Sequence, residues 1–129
     1  MKKEFVDDDL FHIWMENGIL NVVYKIKRLD LANSKRAVET RLNLDLVKSY
    51  PTYVDVSSIR SVTKEARDYM SSDIAIKNVS ASAFLAGSVI SKLMATFFLS
   101  YNKPNVPIKI FTDRNEALKW LGQFNKETL

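Results

Sequence analysis

The chain has 129 residues, 47% of them hydrophobic and 26% charged, with a net charge of +4 and no cysteine. That size and balance fit one folded domain with its own core and exclude a disordered chain. The missing cysteine removes disulfides, thiol nucleophiles and thiolate-held metals, and so mild a charge, with acids interspersed among the bases, falls short of a nucleic-acid footprint.

Residues 1–129 read as a single domain with 1–9 and 126–129 as mobile tails. No signal core follows Lys2 and Lys3, and no run approaches the roughly 18 apolar residues of a membrane span, so the expected setting is the cytoplasm. Leu10 to Met15 and Ile19 to Lys25 are β-prone runs on either side of Asn17-Gly18. Both central residues of a type I′ turn need positive φ, which Asn and Gly tolerate best, so an antiparallel hairpin is predicted. Leu20, Val22 and Tyr24 share one face of its second strand, and Ile19, Asn21 and Val23 share the other. Both faces are mostly apolar and should be covered. The basic cluster Lys25, Lys27 and Arg28 reads as a solvated strand end.

Asp30 or Asn33 can cap the next element. Val38, Leu42 and Leu46, flanked by Leu31, Ala37 and Val47, form an apolar stripe, while Lys35, Arg36, Glu39, Arg41, Asp45 and Lys48 fill the polar side. Tyr50-Pro51 is expected to end this helix. A strand over Thr52 to Val56 and a polar connection, Ser57 to Val62, lead to Thr63, the N-cap of a second helix with Ala66, Tyr69 and Met70 on its inner face. That helix should fray at Ser71 to Asp73.

Val79 to Asp113 reads as a parallel crossover unit. It holds a strand (Ala81 to Ala86), a Gly87-Ser88 turn, a helix (Val89 to Tyr101), a loop at Pro104 and a strand (Val106 to Phe111). The stripe Val89, Ile90, Leu93, Met94, Phe97, Phe98 and Tyr101 is that of a helix laid on a sheet. Leu99 lies off the stripe and could mark a self-association patch. Asp113 and Glu116 resemble a capping box before a final helix packed through Ala117, Leu118, Trp120, Leu121 and Phe124. The order β-β-α-β-α-β-α-β-α predicts an α/β fold: a mixed sheet with an N-terminal β-hairpin and about four helices.

Val54-Asp55-Val56-Ser57-Ser58-Ile59 resembles the strand-three motif of STAS-like, or SpoIIAA-like, anti-sigma factor antagonists. In that motif an aliphatic-Asp-aliphatic-Ser run precedes the regulatory loop. Ala81 to Phe84, Gly87-Ser88, Phe97-Phe98 through Asn102-Lys103-Pro104, Pro107 to Asp113 and Ala117-Leu118-Trp120-Leu121 resemble a bacterial branch of SpoIIAA-like proteins, a domain of unknown function. The resemblance spans roughly Gly18 to Phe124 and implies a STAS-like fold. Phosphorylatable antagonists place an Asp-Ser pair at the start of the second helix. Here that pair falls on Thr63-Lys64, so Lys64 stands where the phosphoacceptor serine would be, and switching at that residue is not expected. Ser57, Ser58, Ser61 and Thr63 are nearby hydroxyls. A phosphate on Ser61 or Thr63 would sit near a helix N-terminus, although loop solvation and capping explain these residues more simply.

Chemistry is sparse. His12 is the only histidine, Gly18, Gly87 and Gly122 are too far apart for a phosphate loop, and no Gly-x-Ser-x-Gly elbow occurs. Asp7-Asp8-Asp9 reads as solvated acids rather than a cation site. No catalytic, cofactor-binding or metal-ligating residue is predicted, and an enzyme is not expected. The resemblance implies a non-catalytic regulatory or protein-interaction module that docks an unidentified protein partner through Asp55, Ser57, Ser58, Ser61, Thr63, Lys64 and Arg67. The alternative is a binder of a small apolar or acyl ligand, with Trp14, Phe97, Phe98 and Tyr101 forming a pocket. A homodimer through Leu99 or the open edge of the hairpin is a further expectation.

Overall fold

The computed structural model describes residues 2–44, 46, 49–87 and 105–124. Its first strand, β1 (Lys2–Asp7), pairs antiparallel with β2 (Phe11–Glu16), so residues expected to be a mobile tail are an edge strand. Asp8 closes the connection, its Oδ1 accepting the N–H groups of Leu10 and Phe11 at 2.9 and 3.1 Å. Phe5 and Val6 pack against the core and anchor the strand. Strand β3 (Ile19–Tyr24) follows through the predicted turn, where Asn17 and Gly18 have φ of 54° and 77°. β1 covers the outer side of β2, so the edge at this end of the sheet belongs to β1 rather than to the hairpin.

A short strand, β4 (Arg28–Leu29), leads into helix α1 (Leu31–Leu42). The helix starts in a reciprocal capping box: Asp30 accepts the N–H of Asn33 at 2.9 Å, and Asn33 Oδ1 accepts the N–H of Asp30 at 2.8 Å. It stops at Leu42 with Asn43 as its cap, although the apolar stripe continues to Leu46. Leu46 still packs on the core, but from non-helical chain. Tyr50-Pro51, expected as a helix terminator, instead opens strand β5 (Tyr50–Asp55). A register shift between Tyr50 and Pro51 accommodates the missing proline N–H.

Strand β6 (Ser61–Val62) pairs in parallel with β4. Helix α2 (Lys64–Met70) follows, capped by Thr63, whose hydroxyl accepts the N–H of Ala66 at 3.1 Å. The last elements are β7 (Val79–Leu85), β8 (Ile108–Phe111) and α3 (Arg114–Gly122). Asp113 caps α3 through the N–H of Asn115, at 2.8 Å, rather than that of Glu116. The predicted helix Val89 to Tyr101, with Leu99, and the loop through Pro104 lie outside the described residues, as do residues 126–129.

The main sheet has six strands in the order β1-β2-β3-β5-β7-β8, antiparallel up to β3 and parallel from there on. The parallel pairing of β7 with β8 is the arrangement predicted for the crossover unit. Helix α3 covers one face, where Ala81, Ala83, Ala117 and Leu121 are all 0% exposed. Alanines on both partners let helix and strands approach closely. The other face looks towards α1 and α2.

Candidate functional site

Strand alternation assigns every second residue to the face below α1 and α2. Phe11 and Ile13 on β2 lie opposite Tyr24 and Val22 on β3, Val22 lies beside Val54, and Val54 beside Phe84. One row over, Thr52, Ser82 and Ile108 align. These side chains floor a cavity of about 520 Å³, roofed by Ala37, Val38 and Arg41 of α1, Arg67 and Met70 of α2, and Ala75 and Ile76. Small-molecule sites typically run from about 300 to 1,000 Å³.

The wall is mostly apolar, so its polar groups stand out. Thr52 Oγ1 donates to Ser82 Oγ at 2.9 Å across β5 and β7. Burial pushes the Tyr24 hydroxyl up to about 12, a rise partly opposed by the nearby charge of Arg41. Arg41 itself is only 8% exposed. Its Nη1 donates to Tyr50 Oη at 2.8 Å and to the carbonyl of Lys77 at 2.7 Å, and its Nη2 donates to the carbonyl of Ala75 at 2.7 Å. Arg41 was expected on the polar side of α1. Its spacing from buried Ala37 and Val38, four and three residues back, places it on the inner stripe and was the available signal.

Of the pocket residues proposed from sequence, Trp14 is not a lining residue. It alternates with Ile13 on β2 and belongs to the opposite side of the sheet, where its Nε1 donates to Glu16 at 3.1 Å and Lys2 lies over its ring. Phe97, Phe98 and Tyr101 lie outside the described residues.

The loop residues singled out from sequence, Asp55 and Ser57 to Arg67, lie next to the cavity-lining residues Val56, Ile59 and Val62. Asp55 Oδ1 accepts the N–H of Ser57 at 2.9 Å, and Ser58 Oγ reaches the carbonyls of Tyr24 and Ile26 at 2.7 and 3.0 Å. Ser61 is exposed in β6, Thr63 is the cap, and exposed Lys64 pairs with Asp68 at 3.0 Å. Arg67 lines the cavity, as do Val56, Ile59 and Val62, the apolar residues between these hydroxyls. Gly87 lies against this loop. A Cβ there would fall 2.5 Å from that of Ser57, which explains why the position is glycine.

The acidic run is used in ion pairs. Asp7 pairs with Lys25, and Arg36 bridges Asp8 and Asp9 at 2.9 Å each, which ties the β1–β2 turn to α1. His12 pairs with Glu4, and that hydrogen bond holds the Glu4 carboxyl below its ordinary range. Among the described residues no three metal-ligating side chains converge. On the face under α3, buried Asn21 accepts a hydrogen bond from Arg114 at 3.3 Å, and the Arg114 guanidinium lies 5.2 Å from the centre of the Tyr53 ring. Burial, reinforced by Asp55, pushes Tyr53 up to about 12.

A mixed sheet with helices on both faces, entered through an antiparallel hairpin, defines a SpoIIAA-like fold. The likeness is to the crystal structure of an uncharacterized protein from the DUF3478 family with that fold, from Shewanella loihica PV-4. It has 13% sequence identity and a TM-score of 0.59, over 94% of this chain and 95% of that one. The chain belongs to the family described as a domain of unknown function, DUF7793, whose pattern matches residues 13–125. No curated protein matches. Among the described residues no helix is long and apolar enough to cross a membrane.

Proposed function

We propose that this chain is a non-catalytic binder of a small apolar ligand, held in the cavity between the sheet and the α1–α2 layer. The observation that carries this reading is the cavity itself: about 520 Å³ floored by five strands and lined mainly by aliphatic and aromatic side chains. Its described wall offers hydroxyls and guanidinium groups but no carboxylate or imidazole to act as a base. Native mass spectrometry of freshly purified protein, followed by titration of the delipidated chain with the neutral dye Nile red, tests it. Saturable binding with one dye per chain is expected. Absence of both a co-purifying ligand and saturable dye binding would overturn the reading.

A second reading is a SpoIIAA-type interaction module docking a protein partner at the 57–63 loop. It draws support from Ser61 and Lys64, which stand exposed. Against a phosphate switch there, the hydroxyls of Ser58 and Thr63 are already engaged in hydrogen bonds. If affinity capture recovers the same proteins with wild type and with Lys64→Ala/Ser61→Ala, this surface is not the docking site.

A further inference from the structure

Among the described residues, Arg41 is a buried cation with no carboxylate partner. Its three hydrogen bonds go to two backbone carbonyls and a tyrosine hydroxyl, all neutral. A guanidinium has five N–H donors. Nε–H and one N–H of Nη2 therefore have no acceptor among the described residues. A buried arginine is ordinarily matched by a carboxylate or phosphate, because dipoles alone compensate its lost hydration poorly. Here no described Asp or Glu lines the cavity, so the charge of Arg41 meets no described counter-charge on its wall. Low-dielectric apolar walls concentrate that potential inside the cavity. Tyr24, on the cavity floor, is close enough for the charge of Arg41 to act on its hydroxyl.

We infer that the ligand is an acyl-chain carboxylate whose head group supplies a counter-charge that no described residue gives Arg41, with the chain lying over Phe11, Ile13, Val22 and Phe84. This rests on the apolar-ligand reading and narrows it to one chemical class. Arg41 is then a head-group ligand as well as a clip that holds α1 to the Ala75–Lys77 segment. A carboxylate suits it because two oxygens can take two N–H donors at once.

Competition by laurate and by lauryl alcohol, which share a chain and differ at the head, tests this on the full-length chain loaded with Nile red. Laurate should displace the dye from wild type at a concentration about tenfold or more below that of the alcohol, the ratio expected for charge-assisted hydrogen bonds. In Arg41→Gln that preference should vanish, with laurate weakened and the alcohol unchanged. A purely structural Arg41 would leave the acid-to-alcohol ratio near one in wild type, which overturns the head-group inference while the apolar-ligand reading stands. Dye that never binds overturns both. Should Arg41→Gln fail to fold, Arg67→Gln decides: the preference for laurate should persist there, and its loss would overturn the assignment to Arg41.

Discussion

On one face of the sheet Ala81, Ala83 and Ala117 let α3 settle directly onto the strands. On the other face the larger Phe11, Ile13, Val22 and Phe84 project towards α1 and α2 yet leave about 520 Å³ between the layers. Alanines on strand and helix thus let the α3 face meet around Ile19, Tyr53 and Leu121, while larger apolar side chains dominate the cavity floor. Tethers hold the described roof in place over the cavity. These are the β4–β6 ladder, the bonds from Ser58 to the carbonyls of Tyr24 and Ile26, the clip at Arg41, and the reach of Arg36 to Asp8 and Asp9.

Adding bulk to each face gives the sharpest contrast. Ala83→Phe intrudes on the closed face and should cost about 3 kcal/mol or more in denaturant unfolding. Arg41→Met removes the clip and leaves the carbonyls of Ala75 and Lys77 to find other donors. A loss of about 2 kcal/mol is expected, measured the same way. Thr63→Ala removes the cap of α2 on the roof side and should cost about 1 kcal/mol. Val54→Phe, one residue from the Ala83 row but pointing into the cavity, should change stability by less than about 0.5 kcal/mol while lowering dye uptake, because there is space to fill. Equal penalties for Ala83→Phe and Val54→Phe would erase the distinction between the faces.

The smallest effect is acid sensitivity. Hydrogen bonds lower the carboxyls of Glu4, Asp7 and Asp9, chiefly through His12, Lys25 and Arg36 respectively. A depressed folded value means the stabilisation is complete above the ordinary values, 4.5 for Glu4 and 3.8 for the aspartates, and is lost as pH falls through the lower folded values. Hydrogen exchange followed from pH 5 downward (about the upper end of carboxylate titration) should therefore show β1 and the start of α1 loosening before α3. Simultaneous loosening of α3 would contradict that order.

Much of the scaffold was legible because it is encoded locally. Asn17-Gly18 specifies its own turn, and Asp30, Thr63 and Asp113 each stand at the first turn they cap. The missed features depend on distant partners. β1 reads as a charged tail until Glu4 meets His12 and Phe5 meets the core. α1 ends before its stripe does, because Leu46 reaches the core without a helix. The cavity is not written in any one segment, since among the described residues its floor comes from five strands and its roof from two helices and a turn. Arg41 reads as a surface residue by its charge, whereas its spacing from Ala37 and Val38 points it inward.

β1 also bears on how the sheet behaves among copies of itself. A growing cross-β assembly needs an uninterrupted ladder of free N–H and C=O groups at an edge. The register of β1 breaks between Glu4 and Val6, and exposed Lys2, Lys3 and Glu4 crowd that border. An incoming strand would meet a broken ladder and a row of charges, so this border terminates the sheet instead of seeding its propagation.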